Sequence, residues 1–297
     1  MNPWLNYHHL RSFAAVVEEG GVTQAAERLG VSHPTISQQI HKLEEQLELT
    51  LFSRAGRRLR LTQDGEMIYS YAAQIFGMGA ALLDAAEGRR SGRTVVGRIG
   101  LDSVLAKLAV RRILSPMMDA FGPALRLRCT EAEREQLFPQ LQARQLDLVL
   151  SDAPAYVAGT ELRSRRLDVS PLALFAAPLL LETLEGPFPG NLNNAPFLLP
   201  MPATRLRREL ERWMGERSLK PRVVAEVEDS GLLKALGQDG RGIFAMPYNL
   251  HEEVCSQYGV VCMGHVPTVE IRMYAIIRQE PVNNPAIQAL LDTRSIA

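Results

Sequence analysis

The segment from Thr23 to Leu61 constrains this chain more than any other part of it. Thr23 is a good N-cap for a short helix that ends at Gly30, and Ser32 is a good N-cap for a second helix. Pro34 is compatible with the first turn of the second helix, because the N–H groups there have no intrahelical partner. The segment therefore predicts two helices joined by a tight turn, with a short hairpin after them.

The second helix is predicted to have one apolar and one polar face. Ile36, Ile40 and Leu43 recur with a period of 3.6 residues and should face the core. A DNA major groove accepts one α-helix, and Gln38 on the polar face could form a bidentate pair with adenine. The polar side chains that we expect to lie at DNA are Thr23, Ser32, His33, Pro34, Thr35, Ser37, Gln38 and Lys42.

A basic hairpin is predicted directly after the second helix. Gly56 favours a tight turn, and residues 58–61 alternate arginine with leucine, as in a strand with one solvated face. We expect Arg54, Arg57 and Arg58 to contact phosphates or the minor groove. Helix-turn-helix geometry occurs in many all-α proteins, and basic hairpins are often only solvated. The two elements in this order, however, indicate double-stranded DNA as the partner.

The same segment resembles the winged helix-turn-helix of the LysR-type transcriptional regulators. The matching motifs are A-A-x-x-L at Ala25, Ala26 and Leu29, S-x-P at Ser32 and Pro34, L-E-x-x-L at Leu43, Glu44 and Leu47, L-F-x-R at Leu51, Phe52 and Arg54, and L-T-x-x-G at Leu61, Thr62 and Gly65. The resemblance covers essentially the whole chain and implies a sequence-specific regulator of promoter DNA that responds to a small effector. His33 and Gln38 depart from the Gln and Arg that are frequent in the family, which leaves the operator sequence open.

A long helix is predicted from about Gln63 to Glu87, because this stretch lacks proline and has a heptad pattern. The resemblance implies a homo-oligomer, dimer or tetramer, with an antiparallel pairing of this helix, which suits an operator with two half-sites. The alternative is a helix that packs on its own effector domain. The predicted dimerisation residues are Ile68, Ala72, Ile75, Gly79, Leu82 and Ala86, and residues 87–93 are predicted to be a hinge.

Strands alternate with helices after residue 94, which predicts an α/β fold with a parallel sheet. The resemblance implies a two-lobed, periplasmic-binding-protein-like α/β effector domain with a ligand cleft between its lobes. The predicted strands are Val95–Leu101, Leu125–Cys129, Leu146–Leu150, Ala173–Ala177, Phe197–Leu199, Val223–Val227 and a late strand, Ile271–Arg278, that returns to the first lobe. The predicted domains are the winged helix-turn-helix at 1–64, the linker helix and hinge at 65–93, and the effector domain at 94–297, with lobe I at about 94–168 and 267–297 and lobe II at about 169–266.

Polar residues follow several of the predicted strands. Open α/β sheets bind ligands at the carboxyl ends of their strands, where helix N-termini point N–H groups into the crevice. Any one of these residues could cap a helix without contacting a ligand. The prediction that several of them converge at one cleft is therefore stronger than the prediction for a single residue. The candidate effector-binding residues are Asp102, Ser103, Thr130, Ser151, Asp152, Pro202, Thr204, Asp229 and Ser230.

Several stretches of the C-terminal half resemble the branch of the family that activates sodium/proton antiporter genes, the NhaR-type branch. They include residues 99–102, 127–129, 146–152 and 228–235. This resemblance implies Na⁺ or pH as the signal. A hard cation takes oxygen ligands, so Asp102, Asp152 and Asp229 are the carboxylates to test.

Composition excludes some classes of function. The 33 basic and 33 acidic residues balance, so DNA binding must come from local clustering. Three cysteines and the lack of a membrane span or signal peptide predict a cytoplasmic protein. No enzyme motif or cofactor site is predicted, and metal binding by His251, Cys255, Cys262 and His265 stays open because their spacing is unusual. RNA polymerase is an expected partner; the alternative functions are a solute-binding module and a nucleoid-type DNA binder.

Overall fold

The structure, a computed structural model, describes residues 4–55, 58–90, 94–155 and 162–292. The chain divides into two compact units. The N-terminal unit comprises Met1–Glu87 with Gln142–Gln145, and the C-terminal unit comprises Gly88–Leu141 with Leu146–Ala297.

Three helices and a hairpin form the core of the N-terminal unit. They are α1 (Tyr7–Glu19), α2 (Val22–Leu29), α3 (His33–Leu47), β1 (Phe52–Ala55) and β2 (Arg58–Leu61). The two strands pair antiparallel, with Phe52 opposite Leu61. Phe13 and Ile36 are fully buried, and the ring of Phe13 lies 5.4 Å from that of Phe52. The order of helices and hairpin predicted from the sequence is therefore confirmed.

The N-caps of the two predicted helices differ from each other. The Ser32 hydroxyl accepts a hydrogen bond from the Thr35 amide at 3.3 Å, as predicted for the start of α3. In contrast, the prediction that Thr23 is an N-cap is wrong, because Gly21 occupies that position with an extended backbone. Val22 packs against the core of the unit, so α2 already includes it, and Thr23 lies exposed in the first turn.

Glu44 and Gly65, from two of the motifs named above, join α3 to the hairpin and to the next helix. The Glu44 carboxylate accepts hydrogen bonds from the Leu51 and Phe52 amides at 2.7 and 3.3 Å. Gly65 lies so close to this segment that a Cβ atom would be 2.2 Å from the carbonyl oxygen of Leu51. Glycine is therefore the residue that allows this close approach.

The linker helix, α4, runs from Gln63 to Arg90. The first half of its predicted heptad seam packs on the winged core, since Ile68 and Ile75 contact that core and Ala72 is fully buried in it. Ala72 is therefore not available to a partner helix. Gly79, Leu82 and Ala86, in the second half of the seam, are exposed.

The C-terminal unit has an α/β fold. Its elements are β3 (Val95–Asp102), α5 (Lys107–Phe121), β4 (Leu125–Ala132), α6 (Arg134–Gln142), β5 (Leu148–Ser151), β6 (Leu162–Ala176), α7 (Pro178–Leu181), β7 (Pro196–Pro200), α8 (Arg205–Glu216), β8 (Arg222–Val227), α9 (Ser230–Gln238), β9 (Phe244–Pro247), α10 (His251–Tyr258), β10 (Val261–Arg278) and α11 (Pro285–Asp292). No helix in the described part of the chain is long and apolar enough to cross a bilayer.

The main sheet is mixed rather than parallel. Its order is β4-β3-β5-β10-β6-β9, while β7 and β8 form a separate parallel pair. β3 pairs parallel with β4 and β5, but β10 pairs antiparallel with β5 and β6, and β9 pairs antiparallel with β6. The prediction of a parallel sheet is thus correct for the first lobe's early strands and wrong for the strands that close the sheet.

Two long strands, β6 and β10, connect the lobes. They pair from Leu162 opposite Arg278 to Ala176 opposite Val261, and a register shift lies between Val266 and Glu270. The sequence predicted only one end of each, because exposed polar and charged residues at 163–166 interrupt the apolar pattern of β6. The late part of β10 returns to the first lobe as predicted, where Ala275 pairs with Leu150.

Candidate functional site

The outer face of α3 combines an exposed polar surface with a rigid apolar base. Ile36, Ile40 and Leu43 are buried behind it. Of the residues predicted to lie at DNA, Thr35 is half-buried, and those that are exposed are Thr23, Ser32, His33, Pro34, Ser37, Gln38 and Lys42. The structure therefore places the predicted reading residues of α3 on one accessible surface, held by the Ser32 cap.

The hairpin β1–β2 contains the three arginines predicted to contact DNA, but the structure describes them only in part. Arg54 pairs with Leu59 and Arg58 with Ala55 in the strand register. Arg57 lies outside the described residues, as do the side chains of Arg54 and Arg58. Arg60, which the sequence analysis did not select, is exposed and pairs with Ser53. Its alternation with leucine in residues 58–61 was the signal that could have identified it.

A stripe of exposed apolar side chains runs along α4. Met67, Tyr71, Met78 and Leu82 follow steps of four and seven residues and are between 46% and 70% exposed, and the adjacent Leu83 is 67% exposed. Large apolar side chains in such a stripe indicate an interaction surface. The heptad analysis missed the first three, because it followed the stripe that packs on the winged core.

Asp102, Ser151 and Asp152 meet at the carboxyl ends of β3 and β5. The Ser151 hydroxyl donates a hydrogen bond to Asp102 at 2.8 Å, and both residues are buried. Arg134, the first residue of α6, donates to Asp152 at 2.9 Å and lies 3.4 Å from the Asp102 carboxylate. Burial raises the pKa of Asp102, although Ser151 and the Arg134 guanidinium lower it. Arg134 was not predicted from the sequence, since a charged residue at a helix start is typical of a solvated surface.

The second lobe contributes one side chain to this cluster. Arg205, the first residue of α8, donates a hydrogen bond to the carbonyl oxygen of Asp152 at 3.3 Å. Thr204 caps the same helix by accepting from the Arg207 amide, and Pro202 is exposed in the preceding loop. Asp152 and Arg205 also line one small pocket between α8 and β10. Asp152 of the first lobe and the segment from Pro202 to Thr204 of the second lobe were predicted as separate clusters. Arg205, which was not predicted, links them.

The remaining predicted effector residues lie elsewhere in the unit. Asp229 is the N-cap of α9 and accepts from the Leu232 amide at 2.7 Å, with the half-buried Ser230 after it. Backbone amides of Leu232 and Gly231 lower the pKa of Asp229. Ser103 is half-buried between β3 and α5. Thr130 lies inside β4, because that strand continues to Ala132 instead of ending at Cys129 as predicted.

The three carboxylates proposed for a cation do not form a common site. Arg134 contacts Asp102 and Asp152, whereas Asp229 caps α9. His251 and His265 flank Tyr248, with ring centroids at 4.7 and 5.2 Å from it. Among the residues that the structure describes, no group of three His, Cys, Asp or Glu side chains could hold a metal ion. The geometry therefore gives no support to cation ligation by these residues.

Known protein families match both units of the chain. Residues 7–66 match the family described as bacterial regulatory helix-turn-helix protein, lysR family. Residues 90–294 match the family described as LysR substrate binding domain. Together the two matches include the exposed face of α3 and the Asp102 cluster.

Individual relatives and solved structures agree with these matches. The transcriptional activator protein NhaR of Escherichia coli (strain K12) is 31% identical over 290 residues, which are 97% of this chain and 95% of the relative. ArgP from Mycobacterium tuberculosis has a TM-score of 0.69 at 19% identity, over 98% of this chain and 99% of that one. Full-length CbnR in complex with its target DNA has a TM-score of 0.66 at 18% identity, over 97% and 98% of the two chains. The two structures indicate a common fold.

Proposed function

The chain belongs to the LysR family of transcriptional regulators, which join a DNA-binding helix-turn-helix to an effector-binding domain, and we propose which of its residues perform each task. The proposal rests above all on the exposed polar face of α3 over a fully buried apolar base. Such a face presents a rigid helix that fits the width of a major groove.

α3 reads the base edges in this proposal. Gln38 is exposed in the second turn of the helix, where its amide can pair with adenine, and His33 and Ser37 lie on the same accessible surface. Lys42, further along α3, contacts phosphate, together with Arg54, Arg57 and Arg58 of the hairpin. We add Arg60 to the phosphate contacts, because its side chain is exposed on β2.

The regulator acts as a homo-oligomer through α4. The exposed stripe of Met67, Tyr71, Met78 and Leu82 supports this proposal. Gly79 supports it as well, because a Cβ atom at this position would meet no described atom within 4 Å apart from the adjacent backbone of its own helix. A symmetric dimer places two copies of α3 on two half-sites of one operator. The proposed interface therefore uses the second half of the predicted seam and a neighbouring apolar stripe.

The C-terminal unit binds a small effector between its lobes and changes transcription from the promoter. Polar groups of both lobes meet at Asp152, which supports a ligand site there. By likeness to NhaR, which is named a transcriptional activator, we propose activation in the cytoplasm through RNA polymerase. An ion-antiporter gene is the proposed target, and Na⁺ or pH is the proposed signal. If pH is the signal, the buried carboxyl group of Asp102 is the group that we propose to titrate.

The experiment is selection of bound genomic fragments by the purified full chain, followed by footprinting of the strongest fragment. We expect protection of two half-sites with two-fold symmetry. Gln38→Ala should weaken the free energy of binding to that site by ~1–3 kcal/mol. The binding to random DNA should stay unchanged. The matched control is Gln257→Ala, since Gln257 is an exposed glutamine of the C-terminal unit.

Three outcomes would contradict this assignment. Equal losses on operator and random DNA would show that Gln38 does not read bases. Protection without a defined site would favour the nucleoid-type DNA binder instead. Binding of solutes without any protected DNA would favour the solute-binding module.

A further inference from the structure

Lys234 is a buried lysine at the middle of α9. Its side chain belongs to the fifth residue of this nine-residue helix, and the residue is only 2% exposed. Lysine is almost never fully buried unless its charge is paired, because removing the ammonium group from water is costly. The surroundings of this ammonium group therefore require an explanation.

No described residue supplies an acceptor for the Lys234 ammonium. It makes neither a hydrogen bond nor an ion pair with any part of the chain that the structure describes, and its partner is the ring of Tyr258, 5.9 Å away at the centroid. That distance lies at the outer limit of a cation–π contact, ~6 Å. Burial lowers the pKa of Lys234, and the nearby Lys107 lowers it further, while Asp229 acts in the opposite direction. Asp229 is exposed, and its carboxylate is engaged in capping α9.

Helix geometry directs the side chain of Lys234 toward the start of α9, and the charge of Lys107, at the start of α5, acts on its ammonium. Side chains of helical residues point toward the N-terminus of their helix. The two charged residues that affect Lys234 are Asp229, the N-cap of α9, and Lys107, the first residue of α5. Helix N-termini carry unpaired N–H groups and partial positive charge. Lys107 itself forms an ion pair with Glu131, so it is partly neutralised.

We propose that Lys234 is the charge-recognition residue for a small oxyanion, a carboxylate or phosphate group, that binds beside the first turn of α9. The bound oxyanion supplies the acceptor that the ammonium lacks, and the N-termini of α9 and α5 add favourable partial charge. The inference rests on the proposed effector function, since it specifies an anionic small molecule as a ligand of the C-terminal unit in addition to the proposed Na⁺ or pH signal. It is independent of the cation hypothesis for Asp102, Asp152 and Asp229.

The test uses the full chain and its lysine-to-methionine variants. Lys234→Met removes the charge and keeps an unbranched side chain of similar length. Thermal unfolding is followed during titration with sodium acetate, sodium succinate and sodium phosphate, each against sodium chloride at equal sodium concentration, with potassium chloride added where needed to equalise the ionic strength. The matched control is Lys220→Met, since Lys220 is exposed.

We expect the wild-type midpoint to rise with at least one oxyanion relative to chloride, by the mass-action stabilisation that accompanies binding to the native state. Lys234→Met should lose this rise, and Lys220→Met should keep it. Without oxyanions, Lys234→Met should unfold at the same or a higher temperature than the wild type, because it no longer buries an unpaired charge. A rise with succinate or acetate alone identifies a carboxylate, and a rise with phosphate alone identifies a phosphate.

Three results would overturn the proposal: no oxyanion effect in the wild type, an unchanged effect in Lys234→Met, or a lower midpoint for Lys234→Met without oxyanions. The last result would assign Lys234 a structural role with Tyr258. DNA binding is measured in parallel on the selected promoter fragment. Failure of the wild-type protein to bind the operator would refute the proposed function. The anion site is decided by the thermal unfolding midpoints alone.

Discussion

The carboxylate of Glu44 in α3 accepts a hydrogen bond from the backbone amide of Leu51 at 2.7 Å. The same oxygen lies 3.3 Å from the Phe52 amide, where the first strand of the hairpin begins. One side chain of α3 therefore fixes the start of the hairpin. The separation between these two elements, both of which we propose to contact DNA, depends on this link.

Removal of the Glu44 carboxylate should loosen the wing without unfolding the chain. A hydrogen bond to a charged group contributes about 1.5–3 kcal/mol, so Glu44→Ala should weaken hydrogen-exchange protection of the Leu51 and Phe52 amides by roughly 10-fold or more. Glu45→Ala is the matched control, because Glu45 is an exposed neighbour. Equal loss of protection in both variants would show that the contact does not stabilise the wing.

Two glycines of α4 should respond in opposite directions to alanine. A Cβ atom at Gly65 would lie 2.2 Å from the Leu51 carbonyl oxygen, so Gly65→Ala should destabilise the winged unit by about 1–3 kcal/mol through overpacking. A Cβ atom at Gly79 would meet no described atom within 4 Å beyond the adjacent helix backbone, so Gly79→Ala should stabilise the helix by about 1 kcal/mol. Urea unfolding monitored by helical circular dichroism measures both. A stable Gly65→Ala protein would contradict the close approach.

Asp102 should make the stability of the C-terminal unit depend on pH. Burial raises the pKa of Asp102, so the native state holds a proton at pH values where the unfolded state has lost it. The stabilisation is complete below the ordinary value of about 4 and is lost as the pH rises through the raised pKa. Asp102→Asn cannot titrate and should lack this decline in urea unfolding at a series of pH values. Asp239→Asn, at an exposed aspartate, is the control. A wild-type decline that persists in Asp102→Asn would assign the dependence to other groups.

A charge in the exposed stripe of α4 should separate the proposed dimer. Leu82 is 70% exposed in the single chain, so Leu82→Glu should leave the fold of each chain intact. In a dimer, the same carboxylate would be buried without a partner, at a cost of several kcal/mol. Sedimentation velocity should then show a smaller species, and Glu66→Gln, at an exposed polar position of α4, should not change the oligomer. An unchanged sedimentation coefficient for Leu82→Glu would place the interface elsewhere.

The N-terminal unit was predictable from the sequence because its signals are local. The Ser32 cap, the 3.6-residue stripe from Ile36 to Leu43 and the alternation of the wing each report the structure of adjacent residues. Thr23 failed as a cap because a tertiary contact of Val22 with the core decided where α2 begins. Propensity is a weak guide where packing selects between neighbouring starting points.

The clusters of the C-terminal unit were predictable only in part. The rule for strand ends found Asp102, Ser151 and Asp152, but it could not show that Arg134 and Arg205 meet there, since these residues are distant in sequence. Lys234 gave no signal, because a lysine in a short helix is typical of a solvated surface. Burial is a property of the whole fold, and a sequence pattern reports it only where an entire face of an element is apolar.

The register shift in β10 determines how a ligand can alter this unit. Val266 pairs with Leu172 and Glu270 with Pro171, so residues 267–269 have no partner in the strand register. Outside this stretch, β6 and β10 share an antiparallel ladder of backbone hydrogen bonds that two smaller shifts interrupt, between Cys262 and Gly264 and between Met273 and Tyr274. A change in the angle between the lobes costs fewest such bonds at this bulge, next to Pro171, which has no amide hydrogen to donate. The widest gap in the pairing of the two long strands therefore lies between Val266 and Glu270.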